Sequence, residues 1–211
     1  MLFKYLKIAG VVSTFSFGSF IFFKIYQIYS FEYVDIFILL LSYFCADVFS
    51  GFVHWVGDTF GDESNTLWGE QFVTPFRVHH RDPTFMTKIP VWENLGASCM
   101  LALLPQSTLF YFILEAPHSV IYAKIYLFFN TLFVLTAITN FFHRYAHTSP
   151  RNTPDIIKWL QRHHLILNPK SHQIHHRSPY DTYFGVTNGW SNKLLEKIKF
   201  WSFMRKLFKA R

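Results

Sequence analysis

Residues 170–190, KSHQIHHRSPYDTYFGVTNGW, carry His172, His175 and His176 in an H-x-x-H-H pattern. On a helix, positions i, i+3 and i+4 share a face, so these three imidazoles can converge on a metal without distorting the backbone. Comparable groups recur: His54 with Asp58, His79 beside His80, His143 with His147, and His164 ahead of the cluster. These groups account for nine of the eleven histidines and leave only His118 and His163 over. Adjacent histidines on a helix point about 100° apart, so His79 and His80 serve two metals more easily than one. Neutral imidazole binds Fe, Zn, Cu and Ni, and histidine count alone does not choose among them. Ligand number is more informative: a catalytic zinc needs about three protein ligands, whereas nine histidines and a carboxylate suit two metals. Two irons bound mainly by histidine at a membrane surface would activate dioxygen and take hydrogen from an unactivated C–H bond. The substrate would then be lipid, because the hydrocarbon is already there.

The elements that position these groups read as membrane helices. The 211 residues are 51% hydrophobic and include 26 Phe, more than one soluble core needs. Apolar stretches predict spans at 8–23, 36–57, 97–115 and 119–142, the first without any charge and each near the length that crosses about 30 Å of hydrocarbon. Lys7 and Lys24 flank the first, and no small-residue cleavage site follows it, which argues against a removed signal peptide. Pro105 is tolerated as a kink in the third span, and Lys124 lies near the start of the fourth. Asp47, inside the second, must be paired or face a wet interior, and the sequence assigns it no partner. Cys45 and Cys99 lie in apolar stretches and read as packing residues, and His118 sits in a polar turn. Lys-poor connections on one side place the termini and the 58–96 loop in the cytoplasm. The expected fold is therefore all-α: a polytopic membrane protein with four transmembrane helices and a cytoplasmic-side helical cap, 58–96 and 143–211, carrying the histidines. The formal charge is +7, and from Arg144 onward 13 Lys or Arg face only Asp155, Asp181 and Glu196. Interleaved with Phe, Trp and Leu, that tail suits anionic lipid rather than nucleic acid. The final segment, with Leu194, Leu195, Ile198, Trp201 and Phe208, reads as an interfacial anchor.

The stretches HWVGDTFG, PFRVHHRDPT, HRYAH and HQIHHRSPYDTYFGVTNGWSN, followed by LLEKIKFW, resemble the Kua/CarF family of lipid desaturases. That family includes plasmanylethanolamine desaturases and a chloroplast enzyme acting on phosphatidylglycerol. The resemblance runs from about His54 to Trp201 and implies a single membrane-embedded desaturase domain over 1–211. It also implies a diiron centre held by His54, Asp58, His79, His80, His143, His147, His164, His172, His175 and His176, with His163 a non-ligand. The chain departs from the family's E-T-N-G run, having Glu93, Asn94, Leu95 and Gly96, and has Tyr145 where the family has tryptophan.

By the same resemblance, the reaction takes O2 and two electrons and removes two hydrogens from the sn-1 alkyl chain of an ether phospholipid, leaving a vinyl ether. The electrons come from an external carrier of the cytochrome b5, ferredoxin or flavodoxin type, because no haem-binding H-P-G-G motif occurs. A bacterial inner membrane or the endoplasmic reticulum suits such a chain, with the site on the cytoplasmic face. Alternatives from the same chemistry are an acyl-chain desaturase of a diacyl phospholipid such as phosphatidylglycerol, and a lipid hydroxylase. From another class, a metal transporter holds its ligands mid-membrane on broken helices, unlike groups gathered at span ends. No H-E-x-x-H supports a protease.

Overall fold

A computed structural model describes residues 2–64, 66–115 and 119–209, so His118 lies outside the described residues. All regular structure in them is helical: α1 (Leu2–Ile28), α2 (Tyr33–Thr59), α3 (Thr74–Arg81), α4 (Phe85–Lys88), α5 (Val91–Glu115), α6 (Val120–His147), α7 (Asp155–Arg162), α8 (Pro169–His175), α9 (Trp190–Lys197) and α10 (Phe200–Leu207), with a π-helical turn at Gly69–Val73. Helices α1, α2, α5 and α6 are long and apolar enough to cross a membrane. Each is longer than the apolar stretch expected inside it, because backbone i to i−4 bonding continues past flanking charges such as Lys7, Lys24 and Asp58. The chain packs as two compact units, Met1–Ala46 with Val91–Asn140, and Asp47–Pro90 with Phe141–Arg211.

In the first unit α1 runs along α5, and Ile21, Ile25, Leu109, Ile113 and Leu127 form a buried cluster. Side-chain amides tie its helices together where apolar packing alone gives no register. Gln106 donates to Asn130 Oδ1 at 3.0 Å, and Asn130 Nδ2 donates to the Gly18 carbonyl at 3.0 Å. Only glycine fits there, since a Cβ on Gly18 would stand 2.9 Å from Gln106 Nε2 and 2.8 Å from Val134. Asn94, from the variant Glu93–Gly96 run, is buried, and its carbonyl accepts from Asn140 Nδ2 at 3.1 Å. Lys124 pairs with Glu32 at 2.5 Å.

In the second unit Trp55, Phe184, Leu195, Trp201 and Met204 make the core. The final segment is therefore only partly the expected interfacial anchor. Leu194, Ile198 and Phe208 are exposed, but Leu195 and Trp201 are buried. Lys199, at φ 55°, breaks the segment into α9 and α10, so its apolar residues no longer share one helical face. Arg144 clamps the α4 region by donating to the carbonyls of Met86, Thr87 and Ile89 at 2.7, 2.7 and 2.5 Å. That contact fixes the chain just beyond His79 and His80.

Candidate metal centre

The second unit gathers nine of the ten candidate residues. His79, His143, His147, His172 and His176 form one donor group, and His54, His79, His80 and His175 form another, each with donor atoms within 4.8 Å of one another. Helical spacing explains most of the convergence: α2 presents His54 and Asp58 one turn apart, α6 presents His143 and His147, and α8 presents His172 and His175. His176 caps α8 and still turns inward, 3.0 Å from His172 between Nε2 atoms. His79 belongs to both groups, whereas His80 belongs to one, so the adjacent pair does not divide one metal each.

His164 stands outside both groups. Helix α7 ends at Arg162, His163 caps it, and His164 has φ 55°, which leaves its side chain exposed. His163 is exposed as well and donates from Nδ1 to the Trp159 carbonyl at 2.9 Å.

The donor atoms of each group crowd one another closely. His172 Nε2 lies 2.8, 3.0 and 3.0 Å from the Nε2 atoms of His143, His147 and His176. A ring nitrogen with one proton or one lone pair cannot satisfy three such neighbours. Two nitrogens bound at right angles to a cation, each about 2.1 Å from it, lie about 3.0 Å apart, so a cation suits this set. In the other group Asp58 Oδ2 is 3.4, 3.0 and 3.4 Å from Nε2 of His54, His80 and His175. Both Asp58 oxygens, His54 Nε2 and His79 Nε2 are nevertheless buried without a hydrogen-bond partner among the described residues. Buried polar atoms left unpaired cost about 1–3 kcal/mol each, and a cation between them removes that cost.

Backbone carbonyls set the tautomers. His54 Nδ1 donates to Phe184 O at 3.2 Å, His79 Nδ1 to Phe76 O at 2.8 Å and His175 Nδ1 to Thr182 O at 2.9 Å. A carbonyl only accepts, so each of these rings carries its proton on Nδ1 and presents the Nε2 lone pair to the donor group.

The loop that supplies two of those carbonyls is held by Asp47, whose partner the sequence left unassigned. Its Oδ1 accepts from the N–H groups of Thr187, Asn188 and Gly189 at 3.0, 2.9 and 2.9 Å. Its Oδ2 accepts from Ser191 N–H at 3.0 Å and Ser191 Oγ at 2.6 Å. Ser50 Oγ accepts from Val186 N–H at 3.1 Å, and Asn192 brackets Gly185 on both sides at 2.8 and 2.9 Å. A Cβ at Gly185 would meet Asp47 Oδ2 at 2.8 Å and Asn192 Oδ1 at 2.9 Å, so the loop closes only around glycine. The available signals were an Asn-Gly turn at 188–189 and polar residues within an apolar helix.

Burial, reinforced by neighbouring imidazoles, pushes His79 and His172 well below the usual histidine range and His176 down to about 3. The rings therefore stay neutral, and able to bind metal, at neutral pH. Unfolded histidines take up a proton near pH 6.5, so below that value the unfolded chain binds more protons and folded stability rises with pH. The thermal midpoint of metal-free protein in detergent is expected to be flat above about pH 7 and to fall by several degrees down to about pH 5. A midpoint unchanged across that interval would contradict neutral buried rings.

A chain with four helices long and apolar enough to cross a membrane, and with two histidine-rich donor groups in its second unit, is a membrane protein equipped to bind metal. Residues 43–211 match the lipid desaturase domain family. The chain is 34% identical over 180 residues to a plasmanylethanolamine desaturase of Myxococcus xanthus, covering 83% of this chain and 62% of that protein. It is 39% identical over 160 residues to plasmanylethanolamine desaturase 1 of Mus musculus, covering 74% and 58%. A chloroplastic fatty acid desaturase 4 of Arabidopsis thaliana is 30% identical over 167 residues, covering 79% and 49%. The chain thus belongs to the lipid desaturase family, and it spans about half to three-fifths of the length of these relatives. No solved structure matches it significantly.

Proposed function

We propose that this protein is an O2-dependent desaturase that introduces the vinyl-ether double bond into the sn-1 alkyl chain of an ether phospholipid. The observation that carries this reading is the pair of histidine donor groups joined at His79, in a chain similar to two plasmanylethanolamine desaturases. The set His143, His147, His172 and His176 would hold one iron, and His54, His80, His175 and Asp58 the other, with His79 between them. His164 is left out. Bound iron supplies the reduction of O2 that draws hydrogen from an unactivated carbon. The overall balance is –CH2–CH2– plus O2, two electrons and two protons, giving –CH=CH– and two waters.

The chain's own contribution is to keep the imidazoles neutral, aim them through the carbonyls of Phe76, Thr182 and Phe184, and exclude bulk water around them. The electrons come from a separate carrier. We place the site on the cytoplasmic face, because the basic residues after Arg144 follow the positive-inside rule.

The test is lipid mass spectrometry of a plasmalogen-free host fed an alkyl-ether precursor and expressing the intact chain or its His175→Ala variant. Acid-labile vinyl-ether phospholipids are expected only with the intact chain, the variant falling at least about a hundredfold. A double bond or hydroxyl appearing in an ester-linked chain instead refutes the ether substrate.

A further inference from the structure

A cavity of about 340 Å³ in the second unit shares part of its wall with the donor group, through Asp58 and His80. That volume lies at the low end of ligand-sized pockets, enough for a polar head group and too small for two lipid chains. Three arginines line it, and two of them are already committed. Arg81 makes a two-pronged pair with Glu63 at 2.8 and 2.7 Å. Arg205 donates to the Asp181 carbonyl at 2.8 Å and pairs with the Asp181 carboxylate at 3.1 Å.

Arg77 differs from both. It is half-buried, its Nε donates to the Gly57 carbonyl at 3.5 Å, and among the described residues no carboxylate forms an ion pair with it. It is therefore the one arginine of the three without a direct carboxylate partner among the described residues, and the field of Glu63, which Arg81 already pairs, reaches it only at longer range. Gly57 itself packs tightly on Phe76, the residue preceding Arg77, since a Cβ there would stand 2.4 Å from the Phe76 ring.

We propose that this cavity binds the phosphate of the substrate lipid through Arg77, an inference that rests on the phospholipid desaturase reading above. A planar guanidinium matches two phosphate oxygens at once, and partial burial strengthens that pair relative to water. The chemistry also requires a phosphate site close to the metals. In an ether phospholipid the bond to be desaturated lies only a few bonds along the glycerol from the phosphorus. A head group held far away would carry that bond out of reach, whereas a cavity sharing Asp58 and His80 keeps it near. Tyr180 also lines it, its ring edge-on to His80 with centroids 4.8 Å apart.

The test uses the full chain in detergent, loaded with iron, titrated by native mass spectrometry. The two probes are a short-chain 1-alkyl-2-acyl-glycerophosphoethanolamine and the matching phosphate-free 1-alkyl-2-acylglycerol. The intact chain should prefer the phospholipid by about tenfold or more, as a charge-assisted pair provides. Arg77→Gln should abolish that preference while leaving iron content and binding of the phosphate-free lipid unchanged. Retained preference in this variant, or equal loss of both lipids with iron intact, overturns the proposal. If Arg77→Gln loses its iron, Arg77→Lys decides. A point charge without the planar fork should lower the preference several-fold, and an unaltered preference overturns the proposal. Double-bond position in lipids from the same preparations separates the two readings. An ester-chain product with intact phosphate preference refutes the ether substrate and leaves the cavity assignment standing. A vinyl-ether product without phosphate preference does the reverse.

Discussion

Asp47→Ala is expected to cost the protein about half its bound iron, taken from the side of the centre that contains Asp58. The substitution touches no donor atom. It removes the acceptor for four backbone N–H groups and one hydroxyl in a loop whose Thr187, Asn188 and Ser191 are almost wholly buried. At about 1–3 kcal/mol for each orphaned buried donor, the sum reaches several kcal/mol, a large part of a domain's total of about 5–15. The loop then no longer holds the Thr182 and Phe184 carbonyls against His175 and His54, and those rings lose their fixed tautomer. The loop's carbonyls hold His175 and His54, whereas His143, His147, His172 and His176 sit on α6 and at the end of α8 and should keep their iron. Metal content per chain, measured beside an Asp155→Ala control, checks this. Asp155 is fully exposed and among the described residues pairs with Lys158 alone, so its loss should change nothing. Equal loss of both irons in Asp47→Ala would show that the loop supports the whole centre.

His79→Ala should be more damaging than loss of any other single histidine. His79 is the one residue present in both donor groups, and it is buried with Nε2 unpartnered. Removing it should lower affinity for both irons and desaturation by at least about a hundredfold. His147→Ala, confined to one group, should leave the other iron in place. Iron content and vinyl-ether yield measured on the two variants side by side settle the point. A His79→Ala protein that loses no more metal than His147→Ala would mean that His79 serves one ion only.

Much of this centre was legible before any coordinates, because helical periodicity converts spacing directly into a shared face. His54 with Asp58, His143 with His147, and His172 with His175 needed nothing more. What spacing does not carry is the chain's direction after a helix ends. His164 lies two residues beyond α7, in a left-handed conformation with no glycine to announce it, and its side chain leaves the centre. The π-helical turn before α3 was equally silent, and so was the breadth of reach that puts His79 in both groups. Asp47 was recognisable as an anomaly, but its partners are backbone N–H groups some 140 residues away, which every sequence possesses and none advertises. The last segment reads as an interfacial anchor from its apolar and basic residues, a composition that does not show the break between α9 and α10. The turn at Lys199 redirects Trp201 into the core.

Asp47 also constrains how the protein is made. It sits in the middle of a 27-residue apolar helix that leaves the ribosome long before Thr187 to Ser191 exist. During synthesis α2 therefore enters the bilayer before Asp47 has these partners, at a cost of about 2.5–3.5 kcal/mol that the surrounding Leu, Ile and Phe must outweigh. The helix remains provisional until the ribosome has delivered the 187–191 loop. A chain that ends before that point leaves Asp47 in an apolar helix without the N–H groups that pair with it in the folded protein.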